Sequence, residues 1–247
     1  MKSNDDKCHL IVANTNNVSV TMGSETIQAS NSVKLLGVNI DNELNFNTHI
    51  SNLCKKGNQK LHALARISKY LSKDKLKIIM KTFIISQFNY CPLVWMFHNR
   101  TMNNKINRLH ERALRIVYND DNLTFQELLD KDGAVSIHHR NLQKLAVEMY
   151  KVKNKLSPEP ILELFTEQKN THDLRKKRQW QIPNINTVSF GRDSLRYRGP
   201  LTWELLPDNI KESVSLDQFK SRIKGWKPLG CTCRLCKTYI FNLGFID

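Results

Sequence analysis

Two interleaved stripes of side chains on one predicted helix constrain the fold of this chain more than any other feature. Between Thr101 and Tyr118, apolar residues recur at intervals of 3, 4 and 3 positions, and basic residues recur at the same intervals one position earlier. The apolar stripe is Ile106, Leu109, Ala113 and Ile116, and the basic stripe is Lys105, Arg108, Arg112 and Arg115. This spacing is typical of an amphipathic helix that buries one face and holds cations beside it.

Helical periodicity extends over the whole middle of the chain. Further helices are predicted from Thr48, Lys73, Thr124 and Ser136, the last of them through Lys155. Thr48 is predicted to cap the first of these helices, and Pro92 should kink or end the second. The run 119–122 should end the helix that carries the two stripes, and the run 157–160 marks a boundary before another short helix.

Strand patterns are confined to short segments. Strands are predicted at 7–13, 18–22, 25–29, 33–40, 185–190 and 194–197, and the two residues Gly23 and Ser24 suggest a hairpin turn. Further helices are predicted at 200–206 and 216–226. We expect an α+β fold that is mainly α: a small N-terminal antiparallel hairpin or sheet, a helical bundle and an irregular basic C-terminal extension. The expected domains are 1–47, 48–156, 157–230 and a Cys-rich tail at 231–247.

Positive charge is concentrated in the helical bundle. The 247 residues carry a net charge of +15, and residues 48–118 alone hold 14 basic and 2 acidic groups. A solvated surface usually mixes both signs, so this asymmetry favours a face that docks on a polyanion such as a nucleic acid.

Three groups of cations are the candidate nucleic-acid contacts. They are Lys55, Lys56 and Lys60; Lys105, Arg108, Arg112 and Arg115; and Arg175, Lys176, Lys177, Arg178, Arg196 and Arg198. Cations on a rigid helix can follow phosphates without reading sequence, and arginines next to Trp180 and Tyr197 suit backbone and stacking contacts. A solvated face remains the alternative for the helix, and an exposed loop or a nuclear-localisation run for 175–178.

Cys231, Cys233 and Cys236 place three thiols within six residues near the end of the chain. Thiolates at this spacing can chelate zinc, but a tetrahedral zinc ion needs a fourth ligand. No Cys or His follows Cys236, so His138, His139 or Cys91 could supply that ligand only through the fold. Free thiols, or a metal site completed by a partner, are the alternatives.

Several classes of function lack sequence support. The longest apolar run, 83–97, is too short and too polar to span a bilayer, and the N-terminus has no apolar signal region. The scattered cysteines do not resemble a secreted disulfide framework, so we expect a cytoplasmic or nuclear protein. No phosphate loop or nucleophile motif is present, and the pair Asp120 and Asp121 fits a helix-ending turn rather than a metal-binding active site.

Five stretches together resemble a known family. They are SVKLLGVNIDNELNFNTHISNLCKK, FIISQFNYCPLVWMFHNRTMNNKINRLHERALRIVYND, SIHHRNLQKLAVEMYKV, RYRGPLTWELLPDNIK and GWKPLGCTCRLCK. In this order they resemble the C-terminal third of a reverse transcriptase, an RNA-directed DNA polymerase, from a non-LTR (LINE-type, jockey-like) retrotransposon. The resemblance covers nearly the whole chain.

The resemblance implies a role for each part of the chain. Residues up to Ile40 would be the last palm strands and a primer-grip-like hairpin, and residues 48–156 would be the thumb, which lies along an RNA or RNA–DNA template–primer duplex. The family's Tyr/Phe-Ala-Asp-Asp motif, which binds magnesium, would lie upstream of Met1 with the fingers. The chain alone is therefore expected to bind nucleic acid without polymerising, and its partners would include the missing palm and fingers. The Cys-rich tail resembles one that some elements use in nucleic-acid contact.

A second hypothesis belongs to a different class. The chain would be a relic without a selected biochemical role, or a helical protein-interaction domain. The predicted strands at 18–29 would then lack their palm partners and expose a sheet edge. Aggregation without affinity for nucleic acid would favour this alternative.

Overall fold

Two small antiparallel hairpins precede a long succession of helices in the computed structural model, which describes residues 8–13, 15, 17–23, 25–168, 179–228 and 230–236. The described part of the chain is mainly helical. The predicted fold class is therefore confirmed.

The first hairpin joins β1 (Ser19–Met22) to β2 (Glu25–Gln28), with Val20 opposite Ile27. Its turn falls at the predicted position, and Gly23 has a φ of +63°, a left-handed conformation that glycine adopts without strain. The predicted strand at 7–13 is wrong: among its described residues only Leu10 pairs, in an isolated bridge to Ala29. Residue 7 lies outside the described residues.

The second hairpin corrects the prediction of one strand at 33–40. The chain instead forms β3 (Ser32–Leu35) and β4 (Val38–Asp41), which pair antiparallel. Leu36 and Gly37 have φ values of 46° and 87°, and a two-residue hairpin turn of this kind requires positive φ at both positions. The hydroxyl of Tyr90 donates a hydrogen bond of 2.6 Å to the Leu36 carbonyl, which holds the turn from outside the hairpin.

Helix α1 (Asn47–Ile67) begins one residue before Thr48, so the prediction that Thr48 caps it is wrong. The preceding turn is held by the Asp41 carboxylate instead, which accepts hydrogen bonds from the backbone N–H of Asn45 at 2.9 Å and of Phe46 at 2.7 Å. Phe46 itself has a φ of 57°. The entry into α1 is therefore fixed by a side chain from the end of β4.

The remaining helices follow in chain order. They are α2 (Lys73–Ile79), α3 (Pro92–Trp95), α4 (Arg100–Tyr118), α5 (Phe125–Asp132), α6 (Ile137–Lys153), α7 (Glu159–Leu162), α8 (Leu195–Glu204), α9 (Asp208–Lys211) and α10 (Leu216–Ile223). Helix α2 continues through a π-helical turn (Met80–Ile84) and a 3₁₀ turn (Ile85–Asn89), and Pro92 occupies the first position of α3. Thr124 and Ser136 cap α5 and α6 as predicted.

The C-terminal extension is helical where strands were predicted. Residues 188–192 form a π-helical turn, and residues 195–204 form α8, so the strands predicted at 185–190 and 194–197 are wrong. Helix α8 buries Arg198, Gly199, Pro200, Thr202 and Trp203. A helix covered on several sides shows no amphipathic periodicity, which explains the wrong prediction.

The buried side chains of the described residues form two clusters. In the first core, α1, α4 and α5 pack with the turns that follow α2. Gly57 lets α1 approach α4 closely, because a Cβ there would lie only 2.5 Å from Leu109 Cδ1. The second core joins α6, α8 and α10 with Trp226 and residues 231–236. Helix α6, inside the predicted domain 48–156, gives most of its buried side chains to this second core; the domain boundaries stay a prediction.

Candidate metal centre and basic surface

The three clustered cysteines lie inside the molecule. Cys231, Cys233 and Cys236 are 5%, 6% and 7% exposed, and they follow Gly230, whose φ of +81° turns the chain inward. The backbone N–H of Cys236 donates to the Cys233 carbonyl at 3.1 Å, which closes a tight turn around the thiols. The turn presents the sulfur atoms of Cys233 and Cys236 to one helix, α6.

His138 meets this turn from the first turn of α6. Its Nε2 lies 3.3 Å from Cys233 Sγ and 3.4 Å from Cys236 Sγ, and these three atoms all lie within 4.8 Å of one another. Ser136 positions the ring by capping the helix, where its hydroxyl accepts a hydrogen bond from the backbone N–H of His139 at 3.2 Å. A group of His and Cys side chains that could hold a metal is therefore present.

His139 and Cys91, the other two residues that the sequence offered as a fourth zinc ligand, are placed less favourably than His138 for binding a metal with these cysteines. His139 Nε2 is 4.0 Å from Cys236 Sγ, and its ring is only partly buried. Cys91 is exposed, and its described thiol contact is with Tyr90. Cys231 is buried in the same turn and its thiol interacts with those of Cys233 and Cys236, but it is not among the three residues whose donor atoms all lie within 4.8 Å of one another.

Interactions among the three thiols shift their pKa values in opposite directions. The pKa of Cys231 is lowered to about 3 because the thiols of Cys233 and Cys236 donate hydrogen bonds to it. The pKa of Cys236 is raised, chiefly because this thiol donates to Cys231. Burial lowers the pKa of His138, so its imidazole is neutral near pH 7. Thiolate sulfur and neutral imidazole nitrogen are donors that a soft divalent cation prefers.

A network of charged groups borders the thiols. Arg234 donates to the Phe97 carbonyl at 2.7 Å and forms an ion pair of 3.3 Å with Asp193, which also pairs with Arg198 at 3.3 Å. These side chains and His138 line a cavity of about 20 Å³, enough for one water molecule. Arg198, predicted to contact nucleic acid, is therefore buried in an internal ion pair.

The basic stripe of α4 is only partly exposed. Lys105, Arg108 and Arg112 are exposed, and Arg112 donates to Asn58 of α1 at 3.4 Å. Arg115 is half-buried, pairs with Glu111 at 2.8 Å and donates to the Asp121 carbonyl at 2.5 Å. It therefore holds the end of α4, and three of the four predicted cations face solvent.

A second group of cations lines a groove between the β3–β4 hairpin and α1. The groove has a volume of about 410 Å³, and its lining includes Lys34, Lys55 and Lys56. The amide side chains Asn39, Asn52 and Gln59 lie among these lysines. The amides and lysines offer hydrogen-bond donors to oxygen-rich ligands. Sequence reasoning missed Lys34 and the amides, because only the folding of β3 onto β4 brings them to α1.

The remaining residues that were predicted to contact nucleic acid do not lie together. Lys60 is exposed and donates to the Phe83 carbonyl at 3.0 Å, and Arg196 is exposed on α8. Arg175, Lys176, Lys177 and Arg178 lie outside the described residues. None of Lys34, Lys55, Lys56, Lys60, Lys105, Arg108 and Arg112 forms an ion pair with another described residue.

The helix-ending turn predicted at Asp120 and Asp121 is present at the end of α4. Asn119 adopts a left-handed conformation with a φ of 49° and ends the helix. Asp120 pairs with Lys131 at 3.2 Å, and this contact lowers the pKa of Asp120. The pair forms a structural turn.

The chain matches no known protein-family model, no curated protein and no solved structure. None of the described helices combines the length and the apolar character that a membrane span requires.

Proposed function

We propose that this chain binds the sugar–phosphate backbone of RNA or of an RNA–DNA duplex, as the thumb of a non-LTR retrotransposon reverse transcriptase would. The observation that carries the proposal is the row of three exposed cations on α4, Lys105, Arg108 and Arg112, none of them paired with an acidic group among the described residues. A helix fixed against α1 holds these charges at helical intervals, so they can contact successive phosphates without selecting a sequence.

The groove beside α1 extends the same proposal. Lys55 and Lys56 lie on α1, and Lys34 reaches them from β3. Lysines would contact phosphates, and the neighbouring amides would contact sugar hydroxyls or base edges. The 247 residues contain no Tyr/Phe-Ala-Asp-Asp motif, so the proposal assigns binding and no polymerisation to this chain.

The salt dependence of binding tests this proposal. For an RNA–DNA duplex, we expect Arg108→Ala/Arg112→Ala to weaken binding for all sequences alike. The double variant should also reduce the slope of log K against log salt by roughly 2, about one for each phosphate that the variant no longer neutralises. Fluorescence anisotropy titrations between low and moderate salt measure both effects.

A matched control removes the same charge elsewhere. Lys220→Ala/Lys224→Ala alters two exposed lysines at the end of α10 and should leave the slope unchanged. Binding that ignores salt, or an equal loss of affinity in both double variants, would contradict the proposal.

A protein-interaction role is the second candidate, and the first hairpin favours it. Val18, Val20 and Met22 alternate along β1 and its preceding residue, and they are 37%, 44% and 38% exposed. Alternate residues of a strand share one face, so this hairpin presents an uncovered apolar face. Under the resemblance, the polymerase palm would cover it. A chain that stays monomeric and resists aggregation at high concentration would argue against such a docking face.

The proposal also includes a zinc ion at the cysteine turn. Cysteine thiolates and a neutral histidine suit zinc, and a structural zinc ion would hold the C-terminal residues against α6.

A further inference from the structure

The spacing of three atoms at the cysteine turn fits a tetrahedral metal site. Zinc bonds of about 2.3 Å to sulfur and about 2.0 Å to nitrogen place adjacent S and N ligands about 3.5 Å apart. His138 Nε2 lies 3.3 Å from Cys233 Sγ and 3.4 Å from Cys236 Sγ. These two sulfur–nitrogen distances would therefore change by only about 0.2 Å or less on binding.

Cys231 completes the set better than His139. Cys231 lies in the same turn, and its thiol interacts with the thiols of both Cys233 and Cys236, although its sulfur is outside the group of three atoms that all lie within 4.8 Å of one another. His139 approaches only Cys236, at 4.0 Å. Cys231 is also buried, and His139 is partly exposed. We propose that Cys231, Cys233, Cys236 and His138 form a Cys₃His zinc site that fastens the 230–236 turn to α6.

Charge balance supports a divalent cation at this place. Three thiolates, one neutral imidazole and Zn²⁺ leave a net charge of −1. The neighbouring Arg198, Arg234 and Asp193 carry a net charge of +1 and share one small cavity with His138 and Cys233. A buried charge is tolerated when an opposite charge lies close to it.

The position of the site in the fold indicates its role. His138 and Cys233 are 95 residues apart in the chain, and all three cysteines belong to the second core with Trp226 and Leu235. A metal that closes so long a loop stabilises the folded state, and a buried ion cannot contact phosphates. The site is therefore a structural clamp and not a nucleic-acid contact, contrary to what the resemblance of the tail implies.

The inference extends the zinc part of the proposed function and does not depend on nucleic-acid binding. The test is made without nucleic acid, so the two can fail separately. The full chain is purified under reducing conditions without chelator, and its zinc content is measured by mass spectrometry. We expect about one zinc ion per chain, and cobalt substitution should show thiolate charge-transfer and tetrahedral d–d bands.

Matched variants identify the ligands. His138→Ala and Cys233→Ser should lose the metal, while His139→Ala and Cys91→Ser should keep it. His138→Cys should restore about one zinc ion per chain, because it rebuilds a four-ligand site. This last variant separates loss of a ligand from loss of the fold.

Three results would overturn the inference. One is a wild-type chain that binds no zinc even after reconstitution. Another is a His138→Ala chain that retains full zinc and an unchanged cobalt spectrum. The third is equal loss of metal in His139→Ala and His138→Ala.

Discussion

At the scale of single residues, the first core contains a histidine that resists protonation. His110 is 2% exposed and packs edge-on against Phe125 with ring centroids 5.5 Å apart. Its pKa is lowered to about 3, first by burial and then by Arg140 and Lys81, and Asp132 opposes the shift. The folded chain therefore keeps this imidazole neutral at mildly acidic pH.

This histidine should make stability fall as the pH falls. In the unfolded chain a histidine titrates near pH 6.5, so below about pH 6.5 the unfolded state binds a proton that the folded state does not. The free energy of unfolding should drop by up to about 1.4 kcal/mol for each pH unit, or roughly 2 kcal/mol between pH 7 and pH 5. His110→Leu should remove that part of the loss, measured by urea denaturation at both pH values.

The exposed His62 provides the comparison. His62→Gln should leave the difference between pH 7 and pH 5 as it is in the wild type. If His110→Leu shows the wild-type pH dependence, His110 is not the titrating group.

At the scale of elements, the start of α1 depends on a residue outside the helix. The Asp41 carboxylate accepts two backbone hydrogen bonds from the turn before α1, and Thr48 is exposed and makes no cap. Asp41→Ala should therefore lower the free energy of unfolding by about 2 kcal/mol, since it removes hydrogen bonds to a charged group. Thr48→Ala should change it by less than about 0.5 kcal/mol. Chemical denaturation of both variants makes the comparison, and a larger cost for Thr48→Ala would reverse the assignment.

Local signals predicted some elements and failed for others. The Thr124 and Glu127 side chains form a complete capping box, and α5 begins where that pattern places it. No local pattern indicated the left-handed φ of Leu36, which the hairpin turn and the hydrogen bond from Tyr90 impose. Sequence patterns therefore predict elements whose determinants are local, and they fail where a distant side chain decides the conformation.

At the scale of the whole molecule, the sequence likewise predicted those parts of the candidate sites whose residues are close together along the chain, and missed those that only the fold brings together. The basic stripe and the three cysteines were visible in the sequence because their members lie close together along the chain. His138 stayed one of three possible ligands until the fold brought α6 to the cysteine turn. Lys34 lines the groove only because β3 folds back on β4. Arg198 is not on the predicted nucleic-acid surface, because it pairs with Asp193 inside the molecule.

The separation of the two cores leads to a prediction about metal removal. The proposed ligands belong to the second core or lie on α6, whereas α1 and α4 pack in the first core. Chelation of zinc should therefore increase amide hydrogen exchange in α8 and α10 by about tenfold or more and leave α1 and α4 protected. His138→Ala should show the same pattern without chelator, and His139→Ala should not. Exchange followed by mass spectrometry resolves these helices, and equal loss of protection in both cores would show that the metal supports the whole chain and not one half of it.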